Sequence, residues 1–261
     1  LVISRNWDNP IESIANVGAV TWGNGTFGIT GKVGVSNSLI GGTQGDLVGM
    51  DQVTVLANSN YIVSSPFWDN PTGLIKDAGA ATWGKGAIGT TGLVSPVNSL
   101  IGATEEDRVG EYGVTPLANG NYVVLSPSWD NPTSSIHDAG AATWGNGATG
   151  IKGLVTSSNS LLGVNTDDNV GTEATALTNG HYVVSSQRWN NPEGPIQIVG
   201  AVTWCNGIIG RTGFVTAQNS LIGSSFNDRI GGNVLFGYKG VTALTNGNYV
   251  VRSPFWDNPQ G

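Results

Sequence analysis

The sequence has few charged residues, a single cysteine, two histidines and no long apolar run. Charged side chains make up 11% of the 261 residues and the formal net charge is −7, whereas an average domain is about 25% charged. Nucleic-acid phosphates need a basic surface, so this acidic balance argues against a nucleic-acid partner. No apolar stretch approaches the ~18 residues of a membrane-spanning helix, so membrane insertion is not expected.

The one cysteine, Cys205, cannot form a disulfide within the chain, so stability must come from packing and hydrogen bonds. It stands where equivalent motifs have Gly23, Gly84 and Gly145. This position favours a neutral substitution of glycine over a nucleophilic role. The sequence begins at Leu1 without a basic-then-apolar leader. We therefore expect a mature or trimmed product, and the composition fits a secreted or cell-surface protein.

Glycine, in contrast, is abundant. The sequence contains 40 glycines, where a usage of ~7% would give about 18. Hydrophobic residues make up 39% of the chain, which is enough for a buried core. Together with many Asn, Ser and Thr residues, this composition favours β-structure with tight turns.

A repeat of about 60 residues covers the whole chain. Trp-Asp-Asn-Pro occurs at 7, 68, 129 and 256, with Trp-Asn-Asn-Pro at 189; Gly-Ala-x-Thr-Trp follows in four copies, and then Asn-Ser-Leu-[Ile/Leu]-Gly. An aspartate comes nine residues after each of these last asparagines, at Asp46, Asp107, Asp168 and Asp228. The sequence thus predicts one repeat domain, 1–261, with units at 1–56, 57–117, 118–177 and 178–244 and a partial fifth unit at 245–261.

Each unit is predicted to contain four strands and no helix. In the last unit the first strand is 241–244 and the second starts at Tyr249, with Asn246-Gly247 between them, a pattern typical of a type I′ hairpin. The third strand is Ala-Thr-Trp, and the fourth is Gly153-Leu154-Val155-Thr156 and its equivalents. The fourth full unit carries extra residues at 231–237, which we interpret as a loop because insertions concentrate at the surface.

Four short antiparallel strands per unit predict a β-propeller with about four blades. The sequence begins with a second strand, and residues 241–244 near its end form a first strand. In a closed propeller these two strands would pair and complete one blade. The sequence also supplies another second strand, Tyr249 to Trp256, for which a closed ring of four blades has no place. An open β-solenoid or array is therefore the alternative.

The Trp-Asp-Asn clusters are the candidate binding residues. In the structural interpretation, Trp fills the space between sheets and Asp-Asn-Pro forms an Asx turn. In the functional interpretation, an exposed indole face packs on a sugar ring while carboxylate and amide bind hydroxyls. If Asp is essential to such a site, the fourth copy is the weaker one. The candidate residues are Trp7, Asp8, Asn9, Trp68, Asp69, Asn70, Trp129, Asp130, Asn131, Trp189, Asn190, Asn191, Trp256, Asp257 and Asn258.

The other recurrent residues are given structural roles. The tryptophan of Gly-Ala-x-Thr-Trp, flanked by small residues, is predicted to lie in the core. The aspartates at 46, 107, 168 and 228 suggest calcium, but the residues around them do not alternate as ligands do in all four copies. We therefore interpret them as Asx caps of turns, and we expect neither a metal nor a cofactor.

Catalysis has little support in the sequence. His137 and Asp138 are replaced by Lys76 and Asp77 in a neighbouring unit, and His181 stands where other units have asparagine. The sequence contains no nucleophile elbow, zinc-protease motif or phosphate loop. We expect a protein that is not an enzyme. A pair of catalytic carboxylates keeps a polysaccharide hydrolase as a third reading.

The run at 241–258, with Gly-Ala-Ala-Thr-Trp-Gly-Asn-Gly at 140–147 and Asn-Ser-Leu-Ile-Gly at 219–223, resembles tandem repeats of large bacterial surface proteins of the filamentous-haemagglutinin type. This resemblance covers the entire chain. It implies a secreted or cell-surface location and a role in adhesion or display, and it carries no residue-by-residue function.

Two functions follow from these observations. The first is a non-catalytic, multivalent binding module, lectin-like or adhesin-like, whose partners are glycans, because weak sites repeated on a rigid scaffold gain avidity. The second is a structural spacer or filament subunit that self-associates by exchange of terminal strands.

Overall fold

The computed structural model describes residues 1–194, 196–233 and 237–257. These residues form short strands joined by turns and contain no helix, so the all-β prediction is confirmed. It follows that no helix in these ranges could serve as a membrane span.

The described residues form 22 strands. In chain order they are β1 (Val2–Ser4), β2 (Ala19–Thr21), β3 (Ser38–Ile40), β4 (Gln52–Val55), β5 (Tyr61–Ser65), β6 (Ala80–Gly84), β7 (Gly92–Leu93), β8 (Ser99–Ile101), β9 (Val114–Pro116), β10 (Tyr122–Ser126), β11 (Ala141–Gly145), β12 (Gly153–Leu154), β13 (Ser160–Leu162), β14 (Glu173–Ala176), β15 (Tyr182–Ser186), β16 (Ala201–Cys205), β17 (Gly213–Phe214), β18 (Leu221–Ile222), β19 (Gly232–Asn233), β20 (Tyr238–Lys239), β21 (Val241–Ala243) and β22 (Tyr249–Val251).

Each repeat builds one antiparallel sheet. The second repeat has the order β4-β5-β6-β8, the third β9-β10-β11-β13 and the fourth β14-β15-β16-β18. The first repeat contributes β1-β2-β3, and the fifth contributes β21-β22. In the second repeat the central pairing runs from Tyr61 opposite Gly84 to Ser65 opposite Ala80. We number the repeats 1 to 5 accordingly.

The fourth strand of each sheet differs from the prediction. The segment that forms it is Ser-Leu-Ile or Ser-Leu-Leu, shortened to Leu-Ile in the fourth repeat, and not the Gly-Leu-Val segment before it. The Gly-Leu or Gly-Phe segment is instead a guest strand, β7, β12 or β17, which pairs in parallel with the fourth strand of the preceding repeat. The sheets of repeats 1 to 3 are therefore each completed by the next repeat along the chain, a long-range pairing that local strand patterns do not reveal.

The hairpin between the first and second strands also differs from the predicted type I′ turn. A type I′ turn needs positive φ at both central residues, but in the third repeat only Gly120 has it (φ 86°), while Asn119 does not. Gly120 N–H donates to Leu117 O and Leu117 N–H to Asn121 O. This is a three-residue loop with a left-handed glycine at its end.

The insertion in the fourth repeat is a small hairpin, in which β19 pairs with β20. Residues 234–236, which separate these two strands in the sequence, lie outside the described residues. The predicted loop therefore carries two short strands of its own.

The core lies between consecutive sheets, because both faces of the inner sheets are buried. In the second strands β5, β10 and β15 every residue is buried, and successive side chains point to opposite faces. Val63 packs against repeat 1, whereas its neighbour Ile62 packs against repeat 3. Four apolar clusters result, one at each of the four junctions between repeats.

The sheets stack in chain order. The first strands of consecutive repeats, β4, β9, β14 and β21, contact one another. Within the described ranges β1 pairs with β2 alone and β22 with β21 alone, and no strand pairing joins repeat 1 to repeat 4 or 5. The structure thus shows an all-β repeat array, and the ring closure that the predicted propeller requires is not found in the described residues.

Candidate functional site

The Trp-Asp-Asn-Pro tryptophans lie where consecutive sheets meet. Trp68, Trp129 and Trp189 are at most 2% exposed, and each packs in the cluster shared with the preceding repeat. The expectation that these three rings are exposed is wrong, because stacking of the sheets covers them; a part in ligand binding stays a prediction. Trp7 is half-buried, and Trp256 is 52% exposed.

The Asp of this motif closes its own loop. Oδ1 of Asp8, Asp69 and Asp130 accepts the backbone N–H eight residues further on, at 2.7, 2.8 and 2.7 Å. Asn190 does the same with its Oδ1, at 2.8 Å. Only one side-chain oxygen is needed, which explains why Asn replaces Asp in the fourth copy.

The Asn of the motif forms the predicted Asx turn. Its Oδ1 accepts the backbone N–H two residues further on, at 3.0–3.1 Å, past the proline. The residues concerned are Asn9, Asn70, Asn131 and Asn191. The structural interpretation of this corner is therefore confirmed in four copies. Asp257 is exposed, and Asn258 lies outside the described residues.

The recurrent aspartates join each repeat to the next. Asp107 is fully buried, and its Oδ2 accepts the N–H groups of Ala103 and Thr104 at 2.6 and 2.9 Å. Its Oδ1 accepts the Thr104 hydroxyl at 2.5 Å and, from the next repeat, the N–H of Asp130 at 2.9 Å. Asp46, Asp168 and Asp228 accept the equivalent bonds from backbone N–H groups of the next repeat. The Asx-cap interpretation is confirmed, and it extends across the junction.

These buried carboxylates are held by backbone donors. Burial raises the pKa of Asp46, Asp107 and Asp168 above the ordinary value, and the hydrogen bonds that they accept lower it in part. Both oxygens of Asp107 are already occupied by N–H or O–H donors. This arrangement serves the loop and the junction, and the described residues contain no group of His, Cys, Asp or Glu side chains placed to hold a metal ion.

The second set of tryptophans was predicted to lie in the core, but these rings are only partly buried. Nε1 of Trp22, Trp83 and Trp144 donates to a glycine carbonyl of the next repeat, Gly86, Gly147 or Gly207, at 2.7–3.0 Å. A glycine from the same turn lies against each ring. These two contacts make the tryptophan a link to the following repeat.

Glycine is required at that contact. A Cβ added at Gly150 would lie 2.6 Å from Trp83 Cβ, and the backbone φ there is +74°. Gly89 and Gly210 approach Trp22 and Trp144 in the same way, at 2.6 and 2.8 Å. In repeat 4 the equivalent Trp204 is 39% exposed, and no glycine turn within the described part of the chain lies against its ring.

Asparagines of the hairpin turns bond to the same carbonyls. Asn58 and Asn60 both donate to Gly147 O at 2.8 Å, beside Trp83 Nε1. Asn119 and Asn121 donate to Gly207 O at 2.7 and 2.9 Å. One side of the array thus carries a ladder of asparagines that links each repeat to the next.

One charged cleft breaks the repeat symmetry. It measures about 620 Å³ and is lined by Glu105, Glu106, Arg108, Ser128, Asp130, His137 and Asp138. His137 Nδ1 lies 2.7 Å from Asp130 Oδ2, and this hydrogen bond raises the pKa of His137. The sequence pointed to the neighbouring Asp138, whereas the partner is the motif Asp, seven residues earlier. The Ser128 hydroxyl, which also lines the cleft, donates to Glu111 Oε2 at 2.8 Å and not to His137.

A family model described as "Repeat of unknown function (DUF5650)" matches the chain five times, at 1–50, 55–111, 116–172, 176–232 and 243–261. The chain belongs to this repeat family. The five matches follow the five repeats of the structure, and the family's description assigns no activity. No curated protein matches the chain.

Two residues that stood out in the sequence have structural positions in the DUF5650 fold. Cys205 is buried in the junction between repeats 3 and 4, and burial raises its pKa to about 12. Nδ1 of His181 accepts the Gly207 N–H at 3.1 Å, as Oδ1 of Asn60 accepts the Gly86 N–H at 3.0 Å. Histidine here replaces the acceptor that asparagine provides elsewhere.

A groove runs beside the Trp-x-Asn-Pro corner of two DUF5650 repeats. In repeat 1 it measures about 390 Å³, and its lining includes Trp7, Pro10, Val33 and, from repeat 2, Leu93. In repeat 3 the equivalent groove shrinks to about 120 Å³. Of these two grooves, the one in repeat 1 has the size of a small-ligand site.

Proposed function

We propose that this chain is a non-catalytic structural spacer, an open stack of DUF5650 repeats that sets a fixed distance. The observation that carries the proposal is that the recurrent motif residues bond to the adjoining repeat or to their own loop. Three kinds of recurrent residue contact the adjoining repeat: the tryptophans of both motifs, the buried aspartates and the asparagines of the hairpin turns. In a multivalent binding protein, the recurrent residues would instead face solvent.

The contacts at each junction favour rigidity. Each inner junction combines an apolar cluster, a parallel guest strand, an indole N–H bond and an aspartate bond. A repeat array is stabilised chiefly by contacts between nearest neighbours. Such junctions therefore favour a rigid stack over repeats that move independently. The resemblance to bacterial surface proteins supports an extracellular location for this spacer.

Distances between spin labels on equivalent residues of successive repeats test the proposal. Ser36, Val97, Ser158 and Gln218 are equivalent, exposed positions in repeats 1 to 4, and each can be changed to Cys and spin-labelled in pairs with residue 36. Stacked sheets lie ~10 Å apart, so the three distances from residue 36 should rise by about that increment per repeat, with narrow distributions. A return to a short 36–218 distance would show a closed ring, and broad distributions would show a flexible tether; either would refute the proposal.

Repeat 1 supports a second candidate, a single glycan-binding site. Trp7 is half-buried beside Asn9, and the groove there is open and flanked by Glu12 and Lys32. An indole next to amide and charged groups suits a sugar ring. A glycan array with the wild-type chain and Trp7→Ala separates the two functions. Binding lost in the variant supports the site, and silence with the wild type refutes it.

A further inference from the structure

One asparagine-glycine turn has an imidazole on its backbone nitrogen. Asn-Gly occurs six times in the sequence, and in repeat 4 the Gly207 N–H donates to Nδ1 of His181 at 3.1 Å. In repeat 3 an amide oxygen takes this place, since the Gly147 N–H donates to Asn121 Oδ1 at 3.0 Å. A neutral imidazole nitrogen is a base, whereas an amide oxygen is not. The two turns therefore differ in the group that accepts this amide proton.

The amide proton matters because an asparagine followed by glycine can react with its own backbone. The nitrogen of the following residue attacks the side-chain carbonyl carbon, and glycine allows the approach because it has no side chain. The attacking nitrogen must lose its proton, and a positioned base that takes this proton lowers the barrier. The 3.1 Å between Gly207 N and His181 Nδ1 lies within the reach of about 2.6–3.2 Å that such a base requires.

The carbonyl that is attacked is also polarised. Oδ1 of Asn206 accepts the Ile208 N–H at 2.8 Å, and this bond strengthens as negative charge builds on the oxygen during the attack. The imidazole of His181 is held beside the Trp204 ring, with 5.0 Å between the ring centroids. The His181 backbone N–H donates to Asn179 Oδ1 at 3.1 Å. Residues of repeat 4 thus fix the base, the nucleophile and the carbonyl.

We propose that Asn206 is a self-modification site, at which His181 acts as the general base for deamidation. The Gly207 N–H proton passes to His181 Nδ1, and the Gly207 nitrogen forms a bond to Asn206 Cγ. The bond from Cγ to Nδ2 then breaks, and the imidazole returns the proton so that ammonia leaves. Water opens the resulting succinimide at either carbonyl, which leaves aspartate or isoaspartate at position 206. The chain reacts once with itself, so this reaction goes beyond the proposed spacer function and does not depend on it.

Isoaspartate at position 206 weakens the junction between repeats 3 and 4. The Gly207 carbonyl accepts Trp144 Nε1 at 3.0 Å. It also accepts the side-chain amides of Asn119 and Asn121 at 2.7 and 2.9 Å. Isoaspartate adds a carbon atom to the backbone directly before Gly207, which displaces this carbonyl from its three donors. The modification therefore removes one of the links between these repeats.

The chain provides a matched control at Asn146. Its Oδ1 accepts the Ala148 N–H at 2.8 Å, as that of Asn206 accepts the Ile208 N–H. The backbone bond that closes the turn is 2.8 Å long in both cases, to Asn146 O and to Asn206 O. Both asparagines are half-buried, and the glycine after each is buried. Stiffness and exposure of the turn therefore act alike on the two sites, and the ratio of their rates measures the effect of the base.

The test is incubation of the full chain at neutral pH and physiological temperature, with deamidation at each Asn-Gly pair followed by peptide mass spectrometry. We expect Asn206 to deamidate about 10²-fold faster than Asn146, the lower end of the gain from a positioned base. His181→Asn restores the residue of the other repeats and should slow position 206 to the rate at 146. Asn121→His is the reciprocal variant and should accelerate position 146.

Protein unfolded in urea is a second control, because unfolding takes the imidazole away from Gly207 and should make the two rates similar. In aged folded protein the Trp144 indole proton should exchange faster than in fresh protein, whereas that of Trp83 should not. These readouts do not depend on the distances between spin labels, so failure of the spacer and failure of this reaction are distinguishable.

Two outcomes overturn the proposal. They are similar rates at positions 206 and 146 in the folded wild type, and a His181→Asn variant that deamidates at 206 as fast as the wild type. Unchanged exchange of the Trp144 indole proton in aged protein overturns the weakened junction. Circular dichroism checks that each variant is folded, and the comparison within the wild type needs no substitution.

Discussion

The close contact between Gly150 and Trp83 gives a sharp test of how the repeats are joined. Gly150→Ala and Gly28→Ala introduce the same methyl group at nearly the same backbone φ, +74° and +72°. The left-handed conformation costs about 1–2 kcal/mol for alanine at either position. Only at Gly150 does the methyl also overlap a tryptophan of the preceding repeat.

Overpacking of this kind typically costs about 1–3 kcal/mol. We therefore expect Gly28→Ala to lower the free energy of unfolding by about 1–2 kcal/mol and Gly150→Ala by about 2–5 kcal/mol. Urea unfolding followed by circular dichroism, at a concentration where the chain is monomeric, measures the difference. Because repeat arrays can unfold in steps, exchange of the Trp83 indole proton gives a local readout. Equal destabilisation of the two variants would refute the inter-repeat contact.

Three further predictions follow from burial and hydrogen bonding. Trp129→Ala should destabilise the fold by about 3–5 kcal/mol in a thermal melt, and Trp256→Ala, at a ring that is 52% exposed, by much less; comparable losses would contradict the burial pattern. His137 should titrate in NMR above its ordinary pKa, chiefly because it bonds to Asp130, and Asp130→Asn should remove most of that shift. Since the folded pKa is the higher one, stabilisation by this pair is complete below about pH 6.5 and is lost as the pH rises through the folded pKa. Cys205, buried with a pKa of about 12, should not react with thiol reagents at neutral pH until urea unfolds the chain; rapid labelling of the native protein would contradict its burial.

The repeat and its strand content could be predicted from the sequence because they depend on local signals. Spacing of the motifs placed the repeats, and β-branched runs between glycine turns placed the first three strands. The Asx role of Asn9 and Asn70 was also predictable, since the accepting side chain lies two residues from its donor.

The roles of the two tryptophan sets could not be predicted in this way. Trp83 has small neighbours in sequence and was placed in the core, yet it reaches a carbonyl 64 residues away. Trp129 stands beside polar residues, and its sequence leaves open whether the ring is buried or is a candidate sugar-binding face; the preceding sheet covers it. In both cases the deciding contact comes from another repeat, and composition around a residue does not encode which neighbour will cover it.

The candidate site shows the same limit. His137 and Asp138 were visible as a pair in the sequence, whereas the hydrogen bond goes to Asp130 across a loop that Asp130 itself closes. The guest strands were recognised as strands but assigned to the wrong sheet, because a parallel pairing across repeats leaves no local pattern.

The guest strands also impose an order on synthesis. The sheet of repeat 2 begins at Gln52 and is complete only when Leu154 arrives, 53 residues after Ile101. At about 5–20 residues per second, a ribosome takes ~3–10 s to make that stretch, and during this time the edge of β8 stays open. Each newly made repeat therefore emerges with one unfinished edge, and the natural strand to close it is the next part of the same chain. Nascent molecules translated close together on one messenger offer that edge a competing strand, so the spacing between ribosomes bears on whether neighbouring chains become interlinked.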